Sequence, residues 1–400
     1  MGEIDGYATT PIAQTSESTL PVLGIFGPNA SGKSNFAHSL NLMAGSVRYS
    51  HRESGAEDGF HRHPFMLDQE SRNSPTSFAV DFVVDGVRHE YGFSANDEMV
   101  LEEWLYSFPE GRQRVLFERD QGLNFKFGDT LRGRKKLIAD VTRPNSLYLS
   151  AAAANNHPQL LPVYRWFSKI RIASRSNVAT RVEETVRMTE RSKERDLVFA
   201  LLRYADLGIS EFFLDESGED STDNPDGSSN EITRPQSGRR PRARIGKMRV
   251  VHQVPDFSES LPVSMESSGT RAWIEIIGIL ISTLRDGRIL IMDEVDAQLH
   301  PLLSAQLVGL FQNPSINKNG AQLIFNSHDV TLLSRTSAAR LRTDEIWFTE
   351  KDQSGATTVT PLTEWADGDQ FPEIEKGYLI GRFGSIPFLD ESLIKKAIDY

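Results

Sequence analysis

Leu23-Gly24-Ile25-Phe26-Gly27-Pro28-Asn29-Ala30-Ser31-Gly32-Lys33-Ser34 joins a short apolar run to a glycine-bounded octapeptide. The octapeptide fits G-x-x-x-x-G-K-[ST] at every fixed position. Beyond it Phe36, Ala37, Leu40 and Met43 recur at helical spacing, so strand, loop and helix follow in the order this motif requires. Its glycines let the backbone wrap around phosphate, with successive N–H groups and a helix N-terminus aimed at the anion. Lys33 then reaches the β- and γ-phosphates, and the Ser34 hydroxyl can ligate Mg2+. Gly27, Asn29, Ala30, Ser31, Gly32, Lys33, Ser34 and Asn35 are the candidate nucleotide contacts, in an α/β P-loop NTPase fold.

A second stretch carries matching chemistry. Ile289-Leu290-Ile291-Met292 reads as a buried parallel strand and ends in Asp293-Glu294. Such strands deliver their C-terminal residues to the crevice where ligands bind in α/β sheets. Asp293 would hold the Mg2+ shell, and Glu294 lies where a carboxylate could polarise an attacking water. Glu266-Ser267-Ser268-Gly269-Thr270-Arg271 opens a helix, which makes it either an ordinary N-cap or a second anion site. Asn326-Ser327-His328 follows an apolar strand, Gln322 to Phe325. His328 there is either a turn histidine or a hydrogen-bond partner for a γ-phosphate or the attacking water.

Around these stretches the chain divides by pattern. Residues 1–20 are Thr-, Ser- and Gly-rich without a period and are expected to form a loose arm. Within 21–130 the period becomes two: Phe78, Val80, Phe82 and Val84 alternate, Asp85-Gly86 supplies a turn, and Val87 to Phe93 continues. With strand-like pieces around 101–108, 114–118 and 124–127, this predicts an inserted antiparallel β region. Residues 131–214 read as a helical subdomain. At 215–245 an acidic run gives way to Arg234, Arg239, Arg240, Arg242 and Arg244, a composition expected to remain disordered at its centre. Residues 246–348 resume the α/β pattern and carry the helix start, acidic strand end and His328; residues 349–400 form a tail.

Composition narrows the classes. The 400 residues contain no cysteine, which excludes disulfides, thiolate metal sites and cysteine nucleophiles and fits a cytoplasmic chain. No run approaches membrane-span length. Hydrophobic residues make up 38%, enough for a buried core, and the net charge of −11 repels polyanions overall. Direct DNA or RNA contact is therefore expected only from the local Arg-rich run, if at all. His51, His61 and His63 lack carboxylate or thiolate companions at ordered spacing and read as loop histidines. Trp273 and Trp347 sit in apolar contexts and read as core.

The order of these motifs resembles that of the ABC/SMC-like AAA-family ATPases of bacterial abortive-infection (RloA/AbiL-type) anti-phage systems. The resemblance runs through Gly27–Asn35, ESSGTR at 266–271, ILIMDEVDAQLHP at 289–301 and AQLIFNSHD at 321–329. It continues in DEIWFTEKDQSGATTV from Asp344 and KGYLIGRFGSIPFL from Lys376, the stretches that point to the abortive-infection branch.

That resemblance implies an ABC/SMC-like head that uses ATP and Mg2+ and dimerises around two nucleotides. Ser267, Ser268, Gly269 and Thr270 would form a signature acting on the ATP of a second subunit, with Asp296 at the dimer seam and His328 as switch histidine. It also implies a sensor or motor whose toxic chemistry belongs to a companion effector. Two departures stand out. Ser268 replaces the first glycine of the usual signature. The first strand expected about thirty residues before the loop is missing, which predicts an open sheet edge and raises the question of an upstream start. Gln69 is the candidate glutamine-loop residue. Two rival classes are an overcoming-lysogenization-type ATPase with nuclease activity, for which the tail after Glu350 is short and carries no nuclease motif, and a RecF- or SMC-type repair ATPase, which predicts longer arms or a basic face.

Overall fold

The computed structural model describes residues 7–12, 15–55, 57–120, 122–174, 177–205, 208–215, 248–254, 257–365 and 373–384. The charged stretch 216–247 and residues 385–400 lie outside the described residues, and with them the expectation of a disordered 215–245 segment. In chain order the strands are β1 (Thr10–Pro11), β2 (Ser18–Thr19), β3 (Val22–Phe26), β4 (Thr76–Val84), β5 (Val87–Ala95), β6 (Val100–Phe108), β7 (Arg114–Asp120) and β8 (Asn124–Phe127). They continue as β9 (Ile170–Ala173), β10 (Ile209–Leu214), β11 (Met248–Val254), β12 (Phe257–Pro262), β13 (Ile289–Met292), β14 (Gln322–Asn326), β15 (Ile346–Lys351) and β16 (Thr357–Pro361). The helices are α1 (Lys33–Tyr49), α2 (Gln69–Asn73), α3 (Lys135–Asp140), α4 (Tyr148–Ala154), α5 (Leu161–Ser168), α6 (Val178–Thr189) and α7 (Ser192–Tyr204). After them come α8 (Ser268–Asp286), α9 (Pro301–Gln312) and α10 (Ile374–Leu379).

A six-stranded sheet in the order β16-β15-β3-β14-β13-β9 forms the core. Its strands are parallel except β16, which pairs antiparallel with β15 at one edge. The apolar runs in β3 and β13 follow from burial on both faces. Alternate residues of β13 show it. Ile289 and Ile291 face a layer that includes Ala37, Met43 and Val47 of α1 and Phe167 of α5. Leu290 and Met292 face the opposite layer, with Val182 of α6, Ile277 of α8 and Leu307 of α9. At the α6–α8 crossing a Cβ on Gly278 would lie 2.5 Å from the Thr185 nitrogen, so only glycine permits this approach. Gly278 N–H donates to Thr185 Oγ1 at 2.9 Å there.

The antiparallel region is a meander, β4-β5-β6-β7-β8, with β4 and β8 at its edges. Asp85 and Gly86 have φ of 51° and 77°, the paired left-handed conformations of a tight hairpin turn. This is the α/β P-loop fold expected, with a parallel core, an inserted antiparallel region and packed helices. No helix among the described residues is long and apolar enough to cross a membrane.

Several elements depart from the sequence expectation. β9 interrupts the stretch read as helical and forms a core edge strand, its register set by pairing with β13. β10, β11 and β12 make a further three-stranded antiparallel sheet. The described part of residues 1–20 is not a loose arm: β1 pairs with β2. Ala8 is buried and donates its N–H to Gln312 O at 3.0 Å, and the Tyr7 hydroxyl donates to Arg340 O. Docking against distant residues holds this segment, and no local period encodes that. Residues 373–384 also fold back: Tyr378 and Phe383 stack on Phe348 of β15 at 5.4 and 5.0 Å. Trp273 is fully buried, with its Nε1 donating to Leu201 O, and Trp347 stacks on Phe36 of α1.

Candidate functional site

The loop 27–32 leaves the buried strand β3 and turns into α1. Gly32 occupies the N-cap position at φ 100°, and Ala30 is left-handed at φ 63°. Ser31 is buried and shares a 2.6 Å hydrogen bond with Thr349 Oγ1 of β15. A Cβ on Gly32 would fall 2.2 Å from Thr357 Oγ1 of β16, so the β15–β16 hairpin walls the loop on one side. Asn29, Ala30 and Asn35 are exposed around its rim.

Lys33 is buried, and its ammonium donates to Gly27 O and Pro28 O at 2.8 Å each. Burial lowers its pKa, and the carboxylates of Asp296, Glu294 and Asp293 oppose that shift. The ammonium thus lies between backbone oxygens of the loop and a carboxylate cluster.

That cluster gathers at the ends of β13 and β14. Ser34 Oγ donates to Asp293 Oδ1 at 2.7 Å. Asn326 Nδ2 reaches the same Oδ1 at 2.6 Å and Ser34 Oγ at 3.3 Å. Asn326 Oδ1 accepts the Glu294 N–H at 2.6 Å, and Glu294 has φ 56°. His38, one turn beyond Ser34 on α1, brings Nε2 to 3.8 Å from Asp293 Oδ2. Asp296 Oδ1 accepts from Ser327 Oγ at 2.7 Å and from the His328 N–H at 3.4 Å, while the His328 side chain is exposed.

The ESSGTR start lies apart from this cluster. Ser267 caps α8, its Oγ accepting from Thr270 N at 3.1 Å. A Cβ on Gly269 would lie 3.0 Å from Gln298 O, in the loop that follows Glu294. Ser267 and Ser268 are exposed, and Met265 beside them is 73% exposed. Gln69 is exposed on the short helix α2, and the cluster shows no place for it. The carboxamide that reaches Ser34 and Asp293 belongs instead to Asn326. Sequence reasoning named the Asn326-Ser327-His328 turn for its histidine and passed over the asparagine. The signal was available, since a buried amide ending an apolar strand must find partners. Thr349 and His38 left no comparable trace.

The residues present fit Mg2+. Ser34 Oγ and Asp293 Oδ1 are hard oxygen donors 2.7 Å apart, close to the roughly 3 Å edge of an octahedral shell with bonds of about 2.1 Å. Phosphate oxygens and water would complete such a shell. Among the described residues no group of three or more His, Cys, Asp or Glu could hold a metal alone. His61 and His63 merely contact edge to face, and His51 pairs with Ser146.

The family described as "AAA domain, putative AbiEii toxin, Type IV TA system" matches residues 22–334. Among solved structures, the chain is similar to the SMC head domain from Thermotoga maritima, at 13% identity and a TM-score of 0.39, over 88% of this chain and 96% of that one. It is also similar to an SmcHead bound to the C-winged helix domain of ScpA, at 12% identity and a TM-score of 0.35, over 90% and 96% of the two chains. No curated protein matches.

Proposed function

Since the chain belongs to this family of AAA domains, we propose that it binds ATP with Mg2+ in the loop 27–34 and hydrolyses it. The observation that carries this reading is the convergence of Ser34, Asp293 and Asn326 within 3.3 Å, next to the buried Lys33. Lys33 would exchange its Gly27 and Pro28 carbonyl partners for β- and γ-phosphate oxygens. Ser34 and Asp293 would hold Mg2+, which neutralises charge between those phosphates. Glu294 would take the proton from a water attacking the γ-phosphorus, and the bond to the ADP oxygen would break. His328 would steady the transferred group from the end of the neighbouring parallel strand β14.

The exposed Ser267 and Ser268 at the start of α8 support a shared site. Ser267, Ser268, Gly269 and Thr270 of one copy would grip the γ-phosphate held by another, with Asp296 at the seam between them. Dimerisation would then follow ATP binding, and hydrolysis would release it.

At the level of the cell, this cycle suits the sensor or motor of an abortive-infection anti-phage system in the cytoplasm. The effector would be a companion protein encoded nearby, and the ATPase itself would need no direct nucleic-acid contact. The family description, a putative AbiEii toxin of a type IV TA system, supports the abortive-infection setting, and the companion effector rests on the sequence resemblance.

Glu294→Gln tests the chemistry. It keeps side-chain volume but removes the negative charge that orients the water. ATP affinity by calorimetry should survive while turnover falls roughly 10²–10⁴-fold, the range for a positioned general base. Wild-type turnover in this variant would remove Glu294 from the mechanism.

A further inference from the structure

Asn326 is 1% exposed, at the last residue of β14. The β13–β14 ladder pairs Met292 with Phe325 and goes no further. Past that point the chain leaves β13 through Glu294 in a left-handed conformation, φ 56°. This backbone is unfavourable for a residue with a Cβ, by roughly 1–2 kcal/mol, and persists only where its surroundings hold it. Beyond the 2.9 Å bond from the Ala297 N–H to Glu294 O, Asn326 contributes two successive bonds. Its side-chain oxygen accepts the Glu294 N–H at 2.6 Å, and its main-chain oxygen accepts the Val295 N–H at 3.1 Å. The other end of the same carboxamide donates to Asp293 Oδ1 at 2.6 Å and to Ser34 Oγ at 3.3 Å.

These partners dictate the residue type. One end must accept from a peptide N–H and the other must donate to a carboxylate, within the reach of a short side chain. A neutral amide does both, whereas aspartate has no proton to donate and leucine has neither group. We propose that Asn326 is a positioning residue for hydrolysis. Its carboxamide extends the sheet ladder by one hydrogen bond, locks the left-handed Glu294 peptide, and so fixes where the Glu294 carboxylate points relative to Asp293 and Ser34. The inference rests on the reading of Glu294 as the hydrolytic carboxylate.

Asn326→Leu keeps the number and branching of the heavy atoms, with bulkier methyl ends, and removes both polar groups. The full-length variant should bind Mg·ATP within about threefold of wild type by calorimetry and turn it over about a hundredfold more slowly, because positioning rather than binding is lost. In the Glu294→Gln background the same substitution should reduce residual turnover by less than about twofold, since a residue acting through Glu294 has nothing left to position. Amide exchange supplies a readout without nucleotide. The Glu294 amide should exchange at least tenfold faster in Asn326→Leu, with residues 289–292 unchanged. Asn326→Ser, too short to reach the Glu294 N–H, should give the same exchange and turnover pattern if the leucine variant fails to fold. A further hundredfold loss on top of Glu294→Gln, a loss of ATP binding, or unaltered exchange at Glu294 would each overturn the proposal. Wild-type turnover in Glu294→Gln alone would instead sink the catalytic reading, while the exchange result would still decide whether Asn326 holds the Glu294 peptide.

Discussion

The hydroxyls of Ser31 and Thr349 lie 2.6 Å apart, tying the phosphate loop to a strand near the other end of the chain. Both residues are buried, so neither hydroxyl has water as a ready substitute. Thr349→Val keeps the shape and orphans Ser31 Oγ, which should cost about 1–3 kcal/mol. Urea denaturation would measure it, and an unchanged midpoint would mean that the loop is held by other contacts.

Lys33→Ala should remove tight ATP binding altogether. Among the described residues no other cationic side chain donates into the loop, and the surrounding carboxylates of Asp293, Glu294 and Asp296 would then repel the triphosphate. Calorimetry with Mg·ATP is the measurement. Wild-type affinity would show that the loop is not where the nucleotide sits.

The shared-site model makes a separate demand. Glu294→Gln should elute as a larger species with Mg·ATP than without it, because unhydrolysed nucleotide keeps two copies together. Adding Ser267→Arg places a bulky cation at the exposed start of α8 and should abolish that shift while leaving ATP affinity in place. A variant that traps ATP yet never changes size would leave the loop chemistry standing and refute the exchange of signature residues between subunits.

Glu345 predicts a pH dependence away from the site. It is completely buried beneath the Tyr7 segment, and burial pushes its pKa from 4.5 up to about 7. The folded chain therefore retains a proton that the unfolded chain releases between those values. Its contribution to stability falls as pH rises from about 4.5 to 7, by up to about 3 kcal/mol. Glu345→Gln should gain on the wild type in melting temperature between pH 5 and pH 8. A difference that stays constant over that range would contradict the assignment.

Where burial is two-sided and the run short, the sequence was a faithful guide. The bounds of β13 and the β4–β5 hairpin could be read from an apolar run and from Asp85-Gly86. β9 could not: its four residues include Arg171, and only the parallel neighbour β13 makes them a strand. The β10–β12 sheet was hidden in the same way, because its pairing spans the stretch 216–247. Within the site, Lys33, Ser34, Asp293 and Glu294 announce themselves by motif. Asn326, Thr349 and His38 matter only through neighbours more than thirty residues away or through one helical turn, and a linear pattern carries no such information.

The strand order also sets a timetable. β3 lies between β14 and β15, and both of its neighbours are encoded beyond residue 320. At about 5–20 residues per second, a ribosome needs roughly tens of seconds to pass from one to the others. The meander β4–β8 pairs only strands adjacent in the chain, so it can close while the nascent polypeptide is still short. The apolar Val22–Phe26 stretch has no such local partner. It can pair only after residues beyond 320 have been made, and the loop it leads into gains its wall only once Thr349 and Thr357 follow.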